Sequence, residues 1–184
     1  LFDEKSEKIE NRFNVQLDGI DYDAKFVFEK VGYNLEGNEI GAAFGLAQLR
    51  KLSSNIKIRQ KNFIRQCNFF SKYPNFFSNP LEKKNCRTAW LAFPLLIKKD
   101  APFTRKDMQI FLEKQGIQTR VVFTGNIIRQ PMCKGINFKV SDKGYPNADS
   151  VMKYGILLPI HHGLTEKMFE RLHETIINFV NKFI

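Results

Sequence analysis

Cysteine is scarce in this chain: Cys67, Cys86 and Cys133 are the only three among 184 residues. Few, odd in number and widely spaced, they exclude a disulfide scaffold and read as belonging to a reduced, intracellular chain. Their separations match no zinc or iron–sulfur signature, so each is expected as a small packed or lightly exposed residue. Long apolar runs are missing as well. No window approaches the roughly 20 apolar residues that a membrane span requires. Leu1-Phe2 is followed at once by Asp3-Glu4-Lys5 rather than by the apolar core of a signal peptide, so a cytoplasmic protein without a membrane span is expected. No Met precedes Met108, and the reading is a piece of a longer polypeptide. The chain also lacks a strand–Gly-rich-loop–helix phosphate motif, a G-x-S-x-G elbow and an H-E-x-x-H pair. Composition and spacing therefore offer binding groups but no nucleophile, no acid–base pair and no metal site.

What is present is a basic, Phe-rich chain: 29 Lys+Arg against 19 Asp+Glu, a net charge of +10, 43% hydrophobic residues and 18 Phe. That content excludes intrinsic disorder and can bury one sizeable core or two small ones. A net positive charge raises nucleic acid as a partner. Its distribution argues otherwise, because the cations are scattered as in Arg50-Lys51, Arg59-Gln60-Lys61 and Lys98-Lys99, with acidic residues between most of them. A basic surface suited to small anionic molecules or an acidic partner fits better.

The first thirty residues are polar and turn-rich, at Asp18-Gly19 and Asp21-Tyr22-Asp23, and read as a connecting segment entering a strand-like piece at Lys25–Phe28. Ile40, Ala43, Phe44, Ala47 and Leu52, widened by Leu46 and Leu49, make a helical stripe over Asn38–Leu52. Its small residues Gly41, Ala42, Ala43, Gly45 and Ala47 suggest a helix packed on most sides. Ser53-Ser54-Asn55 then reads as the cap of a second helix, 55–71, through Ile56, Phe63, Cys67 and Phe70. Tyr73–Arg87, with Pro74 and Pro80, is the expected boundary between two units, 1–72 and 73–184.

Beyond it the pattern predicts a strand over Thr88–Ile97, a helix capped by Thr104 with Asp107 at its third position and ended by Gly116, and a strand over Ile117–Phe123. A long loop over Asn126–Tyr145 follows, then a short helix from Pro146 to Gly155, a strand over Ile156–Ile160 and an amphipathic helix from Thr165 to the C-terminus. The apolar face of that last helix is Met168, Leu172, Ile176 and Phe179, flanked by Phe169, Ile177 and Val180. This order describes a small α/β sandwich with helices on one face of a short sheet.

Three segments carry candidate chemistry. Val31-Gly32-Tyr33-Asn34-Leu35 combines a permissive Gly with an Asn that could hold an anionic oxygen, or is an ordinary turn before a helix. The strand end Thr119-Arg120 and the loop Gly125-Asn126-Ile127-Ile128-Arg129-Gln130-Pro131 gather two arginines, an Asn and a Gln. Such a cluster could clamp a carboxylate or phosphate, or its arginines are salt-bridged on the surface. Pro159-Ile160-His161-His162-Gly163 ends a strand, where adjacent histidines point to opposite faces, so one of them can contact a substrate. His173 reads as a helix-surface residue.

Taken together, Val31–Leu35 and Glu39-Ile40-Gly41-Ala42-Ala43-Phe44-Gly45-Leu46-Ala47-Gln48-Leu49 resemble the corresponding stretch of the DegT/DnrJ/StrS sugar aminotransferase family. The resemblance continues in order through Ala101–Arg105, Gly116–Arg120, Gly125-Asn126 with Arg129-Gln130-Pro131, Pro146–Asp149, Gly155–Pro159 and His161–Thr165. It implies an α/β chain belonging to aminotransferase fold type I: the last helices of a large cofactor domain followed by a small α/β sandwich domain. It further implies a pyridoxal 5'-phosphate or pyridoxamine 5'-phosphate enzyme acting on a 4-keto-6-deoxy nucleotide sugar in lipopolysaccharide or surface polysaccharide biosynthesis, as a homodimer with shared active sites. Tyr33 and Asn34 are implied to bind the cofactor, Asn34 through the phosphate in the neighbouring subunit. Arg120, Asn126, Arg129 and His161 are implied to approach the sugar nucleotide.

No lysine matches the position that would bond the cofactor, so no catalytic residue is assigned, and the segment alone is expected to be inactive. The Gly-Asn-x-x-Arg-Gln-Pro loop resembles the hexulose 3-dehydrase branch. The iron–sulfur members of that branch carry clustered cysteines before the Gly-Tyr-Asn motif, whereas Ile9–Lys30 has none. That leaves an aminotransferase, or a 3-dehydrase working without the cluster, with a non-catalytic binding module as the alternative.

Overall fold

A computed structural model describes residues 15–17, 20–22, 37–133, 135 and 137–184. The chain divides into two compact units, 1–46 and 47–184. In the first, β1 (Val15–Leu17) and β2 (Ile20–Tyr22) pair antiparallel, Val15 opposite Tyr22 and Leu17 opposite Ile20. These strands lie in the polar, turn-rich stretch expected as a connecting segment. Val15, Leu17, Ile20 and Tyr22 alternate around Asp18-Gly19, a short-range hairpin signal that outweighs the polar composition. The strand-like piece expected at Lys25–Phe28 lies outside the described residues.

Helix α1 (Glu39–Phe70) is one continuous helix where two were expected. Ser53, Ser54 and Asn55 lie inside it as helical residues and do not cap a second helix. Each is a weak helix former, but the cost is only a few tenths of a kcal/mol apiece, and no Pro or Gly lies between Leu46 and Phe70. Nor is its N-terminal half packed on most sides: Ile40, Phe44, Leu46, Leu49 and Leu52 are all exposed. The C-terminal half buries Asn62, Phe63, Gln66, Phe69 and Phe70.

In the second unit a four-stranded antiparallel sheet has the order β3 (Phe77–Ser78), β4 (Ala92–Ile97), β6 (Gly155–Pro159), β5 (Arg120–Val121). β3 falls inside the Tyr73–Arg87 segment. Along β4 burial alternates, with Phe93, Leu95 and Ile97 turned into the core. That is the period-2 pattern of a strand with one covered face. The core that covers it combines Phe70, stacked on Phe93 with centroids 5.5 Å apart, with Met108 and Leu112 of helix α2 (Arg105–Lys114) and Phe169, Leu172, Ile176 and Phe179 of helix α4 (Glu166–Val180). Burial of each such side chain stabilises the fold by about 1.5–3 kcal/mol. Met168, assigned to the apolar face of α4 from the sequence, is instead 53% exposed. Its backbone N–H donates to the Thr165 cap, and the buried arc is centred one residue further on.

The ends of α2 follow the sequence closely. Thr104 and Asp107 form a reciprocal capping box, Asp107 N–H donating to Thr104 Oγ1 (3.2 Å) and Thr104 N–H to Asp107 Oδ2 (2.9 Å). At the other end Gly116 (φ +74°) lets its own N–H reach Glu113 O and Ile117 N–H reach Leu112 O, a Schellman closure. The strand expected over Ile117–Phe123 shrinks to Arg120–Val121. Ile117 is drawn into the core, and Thr119 gives its N–H (2.5 Å) and hydroxyl (3.0 Å) to Glu113 Oε1 rather than to a neighbouring strand. Thr88–Leu91 are likewise outside β4, Thr88 N–H donating to Glu82 Oε1 (3.2 Å). Helix α3 (Pro146–Tyr154) opens on Pro at its first position. Arg105, the first residue of α2, donates to the carbonyls of Met152 and Gly155 and so ties α2 to the exit of α3.

Candidate functional site

The loop after β5 is set by a glycine. Gly125 has φ +63°, and a Cβ there would stand 2.5 Å from Met152 Cγ and 2.9 Å from Met152 Cα. The loop backbone lies directly against α3 because this residue has no side chain. Next to it, Asn126 is 3% exposed. Its Oδ1 accepts from Ile128 N–H (3.3 Å), starting a 3-10 turn over Ile127–Arg129, and its Nδ2 donates to Asp149 Oδ1 (2.7 Å). Arg129 closes the arrangement, donating through Nε to Asp149 Oδ1 and through Nη2 to Asp149 Oδ2 (2.7 Å). Gln130 Nε2 donates to Thr124 O (2.9 Å) across the base of the loop.

Thus Arg129 does clamp a carboxylate bidentately, but the carboxylate belongs to its own chain. Three hydrogen bonds from Arg129 and Asn126 hold the Asp149 carboxyl down to about 2, the arginine being the stronger influence, and the same pairing raises Arg129. Asp149 is the organising residue that chemistry-by-spacing missed. Its signal was present only in the Pro146–Asp149 family motif, since nothing in local sequence links a helix residue to an arginine twenty positions earlier.

Arg120 lies at the edge of the sheet, paired with Leu157 of β6. It donates through Nη1 to Thr119 O (2.8 Å), and the Gln118 amide oxygen, turned toward it, accepts from Nη2 at 2.7 Å. Among the described residues it makes no ion pair, whereas Arg65 pairs with Glu166 and Arg129 with Asp149. His161 stands beyond Pro159, at the other end of β6 from the Asn126–Arg129–Asp149 frame. The frame adjoins the Gly155 end of β6 through Gly125, which packs on Met152, whereas His161 follows the Pro159 end. The structure therefore brings Asn126 and Arg129 together, with Arg120 beside them in the chain, and leaves His161 apart.

His161 is held from two sides. Asn62, buried in α1, donates to the carbonyls of Ile160 and His161, both at 3.2 Å, and Gly163 N–H donates to His161 Nδ1 (3.2 Å). That bond leaves Nε2 as the edge the exposed ring offers outward. The adjacent His162 faces Arg59 instead, with Nδ1 3.5 Å from Nη2. His173 is not the surface residue the sequence suggested. It stacks flat on Phe69, with centroids 3.8 Å apart and planes at 2°, and its Nε2 lies 2.8 Å from Oε1 of the buried Gln66. Burial, then the cations Arg65 and Lys72, push the imidazole down to about 4. An i, i+4 apolar count passes over it because His is amphipathic, its ring packing while one nitrogen bonds.

The three cysteines are free, Cys67 and Cys133 half-buried and Cys86 exposed, and burial pushes the Cys67 thiol up. Tyr33 and Asn34 lie outside the described residues. Among the described ones, Arg129 is already neutralised by Asp149, which leaves it less suited to cradle a cofactor phosphate.

Comparison with known proteins places the chain. The profile of the DegT/DnrJ/EryC1/StrS aminotransferase family matches residues 2–177, and the chain belongs to that family. It is 34% identical over 161 residues to the dTDP-4-dehydro-2,6-dideoxy-D-glucose 3-dehydratase of Saccharopolyspora spinosa, covering 88% of this chain and 34% of that protein. It is 31% identical to the lipopolysaccharide biosynthesis protein RfbH of Salmonella typhimurium, covering 84% of this chain and 36% of that protein. Among solved structures it resembles E. coli GDP-4-keto-6-deoxy-D-mannose-3-dehydratase with bound hydrated PLP, at a TM-score of 0.70 and 29% identity, over 82% of this chain and 38% of that one. The chain spans about a third of the length of the curated relatives it matches. The expected fold, an α/β chain forming part of a type I aminotransferase, is the one observed, and its sheet is antiparallel. Among the described residues no helix is long and apolar enough to cross a membrane.

Proposed function

We propose that this chain works as part of a longer, pyridoxal-phosphate-dependent cytoplasmic enzyme that acts on a 4-keto-6-deoxy nucleotide sugar in lipopolysaccharide or other surface polysaccharide biosynthesis. The family profile running almost end to end carries this reading. The Saccharopolyspora relative and the solved structure named above favour removal of the sugar's 3-hydroxyl over amination. The cofactor, when bound, supplies the electron sink for a carbanion at the sugar. The work of this chain is to hold the nucleotide sugar against that group.

In this reading Asp149 and Asn126 fix the plane of the Arg129 guanidinium, which presents its outer N–H edge to the substrate. Arg120, without a carboxylate partner among the described residues, attracts the diphosphate. His161, with Nδ1 occupied by Gly163, offers Nε2 to a sugar hydroxyl or carbonyl. Residues 1–72 are assigned to the cofactor domain and 73–184 to the small domain, with the C-terminal part of α1 packing on the small domain's core through Phe63, Phe69 and Phe70. The enzyme is a homodimer in which Tyr33 and Asn34 serve the cofactor, Asn34 that of the neighbouring subunit. The exposed apolar run Ile40, Phe44, Leu49 and Leu52 on α1 supports a helix that is covered in the assembled protein.

The test is product analysis. The intact protein, supplied with pyridoxamine phosphate and a 4-keto-6-deoxy nucleotide sugar, should release a sugar lacking its 3-hydroxyl. An amino sugar formed in the presence of an amino-acid donor would move it to the aminotransferase branch, and an unchanged sugar in both assays would remove the proposal.

A further inference from the structure

Phe123 occupies a place that folding alone does not explain. It has φ +47°, the one non-glycine residue at positive φ among the described residues, and its ring is 89% exposed. A left-handed backbone at a side-chain-bearing residue costs about 1–2 kcal/mol, and an exposed ring recovers nothing by burial. Such strain persists only where its surroundings impose it, and it concentrates at functional positions.

Here the surroundings are on both sides. Phe123 N–H donates to Val121 O and Gly125 N–H to Val122 O, both at 2.9 Å, turning the chain sharply as it leaves β5. Gly125 is locked against Met152, and Asn126 is buried on Asp149. The turn is therefore fixed from α3, and it displays a rigid aromatic ring into solvent. Two further features lie close to Phe123 in sequence. Ile127, across the Gly125–Asn126 turn, is 52% exposed. Arg120, three residues before, carries a charge unpaired with any carboxylate among the described residues, although Glu113 lies close enough to feel it.

We infer that Phe123 is the stacking platform for the nucleobase of the substrate, and that the β5 turn reads a nucleoside diphosphate in two parts, the base on the Phe123 ring and the diphosphate beside Arg120. This rests on the nucleotide-sugar reading of the same site. A flat apolar ring three residues along the chain from a cation matches a ligand that carries a flat π-system next to concentrated negative charge. Stacking is tolerant of base identity, because every base has a π-face, so specificity for one base must come from elsewhere.

The test separates platform from scaffold with one substitution. Phe123→Gly removes the ring and also suits the positive φ, so the fold should be at least as stable as the parent. Isothermal titration of the intact protein with dTDP, GDP and inorganic pyrophosphate should show the tighter-binding nucleoside diphosphate weakened about 5- to 150-fold in Phe123→Gly, with pyrophosphate unchanged and the melting temperature not lowered. Phe123→Tyr, which keeps the ring, should stay within about threefold of the parent. Equal nucleotide affinity in Phe123→Gly and parent overturns the inference. So does a loss of affinity for nucleotide and pyrophosphate alike with a marked fall in melting temperature, which would show the ring packed against protein instead. A parent that binds none of the three ligands overturns the nucleotide-sugar reading, and the inference with it.

Discussion

Arg129 and Asp149, from a loop and a helix twenty residues apart in sequence, meet in a two-pronged ion pair whose second bond, Nη2 to Oδ2, is 2.7 Å. The pair is exposed enough that its charge attraction alone would count for little. Its consequence is geometric: with Asn126 donating to the same carboxylate, one acidic group on α3 sets the path of the whole Gly125–Pro131 loop.

Replacing that carboxylate should therefore disturb binding more than folding. Asp149→Asn keeps the shape but loses the charge-assisted bonds, and it should raise the KM for the nucleotide sugar on the order of tenfold or more while the melting temperature moves little. Arg129→Lys should behave alike, because an ammonium cannot make both bonds at once. A KM unchanged in both variants would detach this loop from the substrate.

The pair also has a pH signature. The folded Asp149 carboxyl lies near 2 against an ordinary 3.8, so its contribution is complete above about 4 and disappears as pH falls toward 2. Acid unfolding of Asp149→Asn should be less steep over that interval than that of the parent, as followed by circular dichroism.

His173 gives a signature of its own at higher pH. Its folded value, near 4, lies below the ordinary 6.5, so between these limits the unfolded chain takes up the proton first. By linkage the fold loses stability steadily as pH drops from 6.5 to 4, and nothing further below that. His173→Phe retains the stack on Phe69 and leaves Gln66 without its partner, so it should be less stable at neutral pH, with a flatter slope through this window in thermal melts.

Two backbone positions test the framework. Gly125→Ala forces a Cβ into Met152 and a side chain into positive φ, and it should cost about 2 kcal/mol or more. Thr104→Ala removes one half of the α2 capping box and should cost about 1 kcal/mol. Urea unfolding midpoints distinguish these values.

How far the sequence alone reaches can be seen residue by residue. Thr104, Asp107, Gly116, Pro146 and Thr165 act through bonds to residues close in sequence, and the ends of α2, α3 and α4 were legible from them. Ser53-Ser54-Asn55 misled, because a polar cluster caps a helix only where the chain turns, and here it runs on. Ile117 and Thr119 left the strand expected around them for partners in the core and on α2, a tertiary choice that alternation cannot reveal. At the site, Asn126 and Arg129 were visible as donors. That Asp149 would receive them both, and that Phe123 would be held outward by Gly125 packing on Met152, depends on α3 crossing the loop.

The most direct measurement is mass spectrometry of the sugar released when the intact protein, with pyridoxamine phosphate, is given dTDP- or GDP-linked 4-keto-6-deoxyhexose. A product lacking the 3-hydroxyl is expected, with its rate falling when Arg129 or Asp149 is replaced. Recovery of unaltered nucleotide sugar, with no cofactor retained by the protein, would contradict the proposed function.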